Sequence, residues 1–265
     1  MDKRPIGMFD SGVGGLTVLK EVIKENPNEN IIYLGDTKRF PYGSKSKESI
    51  IELTKRGIEF LISKNVKAVI IACGTATSQA LEEMKNKYDI PIIGIIDSTV
   101  EYIENNKNLR KIGIIATSGT IRSKGWQNKI SSKIENATIY NKACPLLAPM
   151  AEEGWTENEI AKLTIHEYLK DFKDIDCLIL GCTHYPLFKD IIREELKDKV
   201  EIINTGEKLS KKLKVILKQS EEENDQEENG EYEIYLTDTE TNFINVAKKL
   251  LQEDNIEEKI KKLDI

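Results

Sequence analysis

The sequence is poor in the groups that hold metals, bind nucleic acids or cross membranes. Its 265 residues include only two histidines, His166 and His184, and four cysteines, Cys73, Cys144, Cys177 and Cys182, with no C-x-x-C spacing. That set lacks the ligand patterns of structural zinc sites. The 39 basic residues are scattered among 45 acidic ones, giving a formal net charge of −6, so no basic stripe offers a footprint for nucleic acid. No apolar run approaches the roughly 18 residues of a membrane span. Met1-Asp2-Lys3-Arg4-Pro5 leads straight into an apolar segment without the core of a secretory signal. The expectation is a cytoplasmic protein with reduced thiols and neither nucleic-acid nor membrane partners.

What the chain does have is a regular alternation of short apolar runs with helical patterns. Strands are expected at 6–9, 31–34, 68–72, 92–96, 111–116, 138–142, 177–180, 200–204 and 233–236. Between most of them apolar residues recur at three- and four-residue spacing, as at Leu16, Leu19, Val22 and Ile23. Such alternation specifies an α/β fold with mainly parallel sheets covered by helices on both faces. Ligands of such folds sit beyond the carboxyl ends of the strands, where Asp10, Asp36, Cys73 and Cys182 all fall. The acidic stretch Ser220–Gly230 reads as a solvated loop. After it, a last strand and a helix over 242–251 must dock on one of the halves.

Two segments repeat. Ala68-Val-Ile-Ile-Ala72 ends in Cys73 and Leu178-Ile-Leu-Gly181 ends in Cys182, each followed by small or hydroxylated residues. Upstream, Ile6–Gly12 resembles Ile112–Gly119 at nearly the same distance before its cysteine. Two similar halves of roughly 100 residues, a common domain size, would bring two thiols to opposite sides of one cleft. That geometry suits removal of a proton from one face of a carbon and its return to the other, a racemisation without cofactor. Thr75 or Thr77 is expected to cap a helix after Cys73, and Pro186 to open one after Cys182. Helix N-termini, hydroxyls and His184 are surroundings that lower a thiol pKa. Cys144 and Cys177 lack them and read as packing residues.

Other residues allow two readings each. Asp10-Ser11-Gly12-Val13-Gly14-Gly15 resembles a dinucleotide turn, but Thr17 replaces the third glycine and Asp10 would oppose a pyrophosphate. A tight turn whose amides and Ser11 hold a small anion fits better. His184 is either structural or a proton relay; His166 is expected mid-helix, structural or exposed. Glu152 and Glu153 form a helix-end acidic pair, one of which could orient His184. Pro41, Tyr42 and Gly43 sit in a turn whose Tyr42 side chain and Gly43 amide could meet a carboxylate.

Together, Phe9–Leu16, Gly35-Asp36 with Pro41-Tyr42-Gly43, Ala72-Cys73 with Thr75-Ala76, Cys144-Pro145-Leu146 and Gly181–Leu187 resemble the motifs of glutamate racemases, in the aspartate/glutamate racemase family. The resemblance implies two pseudo-symmetric three-layer α/β/α domains, 1–97 plus 207–265 and 98–206, with the active site in the cleft between them. It implies interconversion of L- and D-glutamate without cofactor or metal, supplying D-glutamate for peptidoglycan, by a possible homodimer. By position, Cys73 would act on D-glutamate and Cys182 on L-glutamate, with Asp10 and His184 assisting and Asp36 and Glu152 in support. Asp10, Ser11, Pro41, Tyr42, Gly43, Gly74, Thr75, Thr183 and His184 would contact substrate. Gly74 departs from the family's usual Asn, which removes an amide donor; Gly74→Asn should then lower KM, unless the backbone at 74 needs glycine. Asp97-Ser98 also departs from the pattern at the domain junction. The rival readings are an aspartate or other amino-acid racemase, a noncatalytic glutamate-binding regulator and a redox dithiol protein.

Overall fold

Short runs of Ile, Val and Leu bounded by Gly, Asp and Asn are too brief for helices and too apolar for a solvated face, so they become strands buried on both sides. In the computed structural model, which describes residues 2–197, 199–224, 228–239 and 242–264, the elements alternate accordingly. In chain order they are β1 (Ile6–Asp10), α1 (Leu16–Glu25), β2 (Ile31–Gly35), α2 (Lys47–Ser63), β3 (Ala68–Ile71), α3 (Gly74–Lys85), β4 (Ile92–Gly94) and α4 (Ile95–Asn105). There follow β5 (Lys111–Ala116), α5 (Ser118–Ser123), α6 (Gly125–Lys133), β6 (Thr138–Ala143), α7 (Leu147–Glu152), α8 (Glu159–Leu169), β7 (Cys177–Leu180), α9 (Lys189–Leu196) and β8 (Glu201–Ile203). The last are α10 (Thr205–Gln219), β9 (Tyr232–Leu236), α11 (Phe243–Leu251) and β10 (Ile260–Lys262).

Two sheets result, a six-stranded one in the order β10-β9-β2-β1-β3-β4 and a four-stranded one in the order β6-β5-β7-β8. Every described strand pair is parallel. The central strands β1 and β5 occupy equivalent places, each flanked by a cysteine-bearing strand end, so the internal repeat is a structural one. The C-terminal segment returns to the first sheet, β9 pairing with β2 from Ile31↔Tyr232 to Gly35↔Leu236.

Three differences from the sequence reading have local causes. The run Ile92–Ile96 is strand only to Gly94; Ile95 and Ile96 already belong to α4 and are buried, because a continuous apolar run carries no periodicity to mark the switch. The edge strand β10 has lysines at two of its three positions and was not anticipated. The acidic stretch is anchored at its start: Lys67, fully buried, donates to the Glu222 carbonyl at 2.6 Å and pairs with Glu29 at 2.6 Å, while the Asn224 amide donates to Glu29 at 2.9 Å. Residues 225–227 lie outside the described residues.

One apolar core runs from the first sheet to the second. It joins Met8, Tyr33 and Ile70 with Leu16, Leu19 and Val22 of α1, passes through Val100 and Ile103 of α4, and reaches Ile112, Ile179 and the buried Trp126. Each fully buried Ile or Leu contributes about 1.5–3 kcal/mol. The opposite faces hold separate clusters, Phe9, Leu34 and Ile71 of the first sheet with Ile58 of α2, and Ile115, Leu178 and Leu180 of the second sheet with Phe188. Asp97 links α3 to α6 through ion pairs of 2.7 Å to Lys85 and 2.7 Å to Lys129. Among the described residues no helix is long and apolar enough to cross a membrane.

Candidate active site

The strand ends β1 and β3 of one sheet and β5 and β7 of the other converge on a cleft of about 280 Å³. Ser11, Pro41, Tyr42, Gly43, Cys73, Gly74 and Thr75 line it from the first sheet, and Thr117, Arg122, Cys182, Thr183 and His184 from the second. Both thiols are nearly buried, at 5% and 6% exposure, and all four cysteines are free. Cys144 and Cys177 are fully buried in the second half's packing.

The two thiols have different surroundings. Cys182 lies 3.7 Å from His184 Nδ1, and Glu152 Oε1 lies 2.7 Å from His184 Nε2. Glu152, and not Glu153, is therefore the residue that orients the imidazole. Burial pulls the His184 pKa down, but the hydrogen bonds to Cys182 and Glu152 outweigh it and hold the imidazolium well above its ordinary range. Cys73 has the Ser11 hydroxyl at 3.6 Å and the Ala76 amide, and no imidazole beside it among the described residues. Burial, reinforced by the Asp10 carboxylate, pushes the Cys73 thiol up to about 12. The expectation of a lowered pKa is thus reversed at Cys73. Its position as the N-cap of α3 and the Ala76 amide act in the opposite sense and lose to desolvation.

The supporting carboxylates sit behind the lining. Asp10 is fully buried and accepts from the Gly12 amide at 3.0 Å and the Thr183 hydroxyl at 3.1 Å. Burial raises its carboxyl to about 6. It reaches Cys73 through its charge and has no hydrogen bond to that thiol among the described contacts. Asp36 does not line the cleft either: it accepts from Tyr42 at 2.6 Å, Thr237 at 2.8 Å and Arg39 at 2.7 Å, and so fixes the tyrosine that does.

One helix-start expectation fails, and the other is met by a 3-10 turn. Neither Thr75 nor Thr77 caps α3; Thr77 donates to the Ile71 carbonyl at 2.8 Å, and Thr75 meets Thr117 at 2.9 Å and Thr120 at 3.3 Å. Those contacts join the halves beside Cys73 and leave hydroxyls on the cleft wall. Cys182 precedes a short 3-10 turn, Tyr185–Phe188, with Pro186 in its first turn, so α9 begins only at Lys189. His166 is 61% exposed in its side chain, 3.0 Å from Glu195 and remote from the cleft lining.

Gly74 is explained by proximity. It is not in the left-handed region, which among described glycines only Gly154 enters. A Cβ at 74 would instead overlap the Gly181 carbonyl oxygen, with the carbonyl carbon at 3.2 Å and Ile95 Cδ1 at 3.4 Å. The turns carrying the two cysteines touch through their backbones here. Thr117 and Arg122 were not foreseen; the signal was in the repeat, since Thr117 follows β5 as Ser11 follows β1.

Over residues 16–210 the sequence matches the family model described as Asp/Glu/Hydantoin racemase. The chain belongs to this family. A glutamate racemase of Geobacter metallireducens is 39% identical over 253 residues, covering 95% of this chain and 94% of that one. One of Aquifex aeolicus is 42% identical over 256 residues, 96% of each chain. The crystal structure of glutamate racemase from Francisella tularensis in complex with D-glutamate superimposes with a TM-score of 0.91 at 38% identity, covering 100% of this chain and 98% of that one. The racemase relatives thus span both halves and the returning C-terminal segment, and the cleft lies where both halves contribute.

Proposed function

We propose that this racemase interconverts L- and D-glutamate, with Cys73 and Cys182 as the two bases. The observation that carries the reading is the pair of thiols lining one cleft from pseudo-equivalent strand ends, in a chain about 40% identical to glutamate racemases along nearly its whole length. Substrate is held with its Cα between the sulfurs. The Cys182 thiolate, stabilised by the His184 imidazolium, takes the α-proton of L-glutamate and becomes a thiol. The Cys73 thiol gives its proton to the opposite face and becomes a thiolate. The chain then stands ready for the D-isomer, and the reverse path restores it.

The Cα–H is weakly acidic, so charge developing on the carboxylate needs fixed donors. The Thr75 and Thr117 hydroxyls and the amides opening α3 point to that role at the cleft wall. The surroundings set the asymmetry: burial beside Asp10 keeps Cys73 in the role of acid, and Cys182 faces the His184 imidazolium that Glu152 holds in place. The reading includes residues 1–97 with 207–265 and 98–206 as the two domains, the cytoplasm as the location and peptidoglycan synthesis as the destination of D-glutamate.

The test is circular dichroism of pure L- or D-glutamate incubated with the purified protein, with no cofactor or metal added. Decay of the signal to zero from either side is expected. In heavy water deuterium should enter mainly the product enantiomer; equal early labelling of recovered substrate would instead indicate a single base. Racemisation of aspartate but not glutamate would sink the substrate assignment.

A further inference from the structure

Among the described residues the basic side chains lining the cleft are His184 and Arg122. His184 is committed to Glu152 and Cys182. Arg122 is exposed, on α5, and its side chain has no ion pair or hydrogen bond among the described residues. It also lines a second groove of about 320 Å³ together with Lys45, Lys47 and Ser123, so the groove and the cleft meet at this one guanidinium.

The seam between them crosses from one half of the molecule to the other through glycines. A Cβ on Gly43 would lie 2.6 Å from Thr117 Cβ, and one on Gly119 would lie 2.8 Å from the Gly43 carbonyl oxygen. The tight approach carries the Lys45 turn up against α5. Lys45 likewise has no carboxylate partner among the described residues, whereas Lys47 lies beside Glu48 at the start of α2. In a chain of net charge −6, a groove lined by three cations and no carboxylate among the described residues, meeting the cleft at Arg122, is a local reversal of sign.

We infer that Arg122, backed by Lys45 and Lys47, is a cationic rim that receives the second carboxylate of a dicarboxylic amino acid and draws it into the cleft. The inference rests on the dicarboxylate reading above. The thiols and hydroxyls account for the reacting carbon and one carboxylate; among charged groups lining the cleft, Arg122 alone is uncommitted and able to meet the other. Exposed cations of this kind act on capture and selectivity more than on the chemical step.

The experiment compares wild type, Arg122→Gln and Arg122→Lys, with initial rates for both glutamate enantiomers measured across a range of ionic strength. Arg122→Gln should lose about 10-fold in kcat/KM, the lower end of electrostatic steering, through KM, with kcat within about twofold. Its kcat/KM should depend less on salt than the wild-type value, and the two should converge at high salt, where a Debye length of about 3 Å screens the rim. Arg122→Lys should restore most of the salt dependence. An Arg122→Gln enzyme with unchanged KM and salt dependence, one that loses kcat alone, or failure of Lys to rescue would each overturn the inference. Failure of the wild type itself to racemise glutamate would instead sink the functional reading, so the two failures are distinct.

Discussion

Replacing Gly74 with alanine adds one methyl group at the point where the two cysteine-bearing turns meet. The new Cβ would overlap the Gly181 carbonyl oxygen, and restoring an ordinary C···O separation of about 3.3 Å requires the turns to part by about 1 Å. Gly74 directly follows Cys73 and Gly181 directly precedes Cys182, so the displacement falls on the spacing of the two sulfurs about the substrate carbon. A misplacement of about 1 Å costs on the order of 100-fold in rate, equivalent to about 2.7 kcal/mol of transition-state stabilisation. Overpacking should also destabilise the fold by about 1–3 kcal/mol. The assay is racemisation followed by circular dichroism from each enantiomer, beside urea unfolding of the same samples. Because the equilibrium constant of a racemisation is one, kcat/KM must fall equally in both directions. Gly74→Asn should be at least as damaging, since its amide cannot be placed without the same overlap. A folded Gly74→Ala enzyme within a few-fold of wild type, or a Gly74→Asn enzyme with lower KM and intact kcat, would refute the steric argument and return the position to a lost hydrogen-bond donor.

The remaining expectations concern the proton path and the buried acid. Cys73→Ser and Cys182→Ser should each remove most racemisation, because serine is far less acidic than cysteine, while Cys144→Ser and Cys177→Ser should retain chemistry wherever folding survives; loss of thiol chemistry in only one of the first pair would contradict a two-base path. Glu152→Gln removes the charge that sustains the His184 imidazolium, so the alkaline limb of the kcat/KM profile should move to lower pH, and an unmoved profile would make Glu152 merely structural. Asp10, raised from 3.8 to about 6 by burial, binds its proton more tightly folded than unfolded. Its contribution to stability is therefore complete below about pH 4 and is lost as pH rises through about 6, a loss of about 3 kcal/mol. Asp10→Asn should abolish that component in urea titrations compared at pH 4 and pH 7, and a wild-type minus variant difference that does not change with pH would show the shift to be absent.

Much of this was legible because α/β patterning and function use the same positions. Strands buried on both faces announce themselves as apolar runs, and their carboxyl ends are where ligands bind, so Cys73, Cys182 and Asp10 could be placed from sequence. What escaped depended on distance across the cleft. Thr117 and Thr120 meet Thr75 only after the halves associate, and the overlap that forces glycine at 74 involves a carbonyl more than 100 residues away. The thiol electrostatics misled for a related reason: the helix start near Cys73 is visible in the sequence, whereas the burial that outweighs it is a tertiary property. The switch from strand to helix at Gly94 was hidden because four isoleucines around one glycine satisfy either periodicity.

The strand order of the larger sheet has a consequence for how the chain is made. Strands β1 to β4 are emitted early by the ribosome, but their partners β9 and β10 arrive only at residues 232–236 and 260–262, after all four strands of the smaller sheet. The smaller sheet, continuous over 111–203, is able to close first, while β2 waits with one edge unpaired. An unpaired edge invites pairing with another chain, so nascent chains halted before residue 232 should aggregate through β2, and those released after it should not.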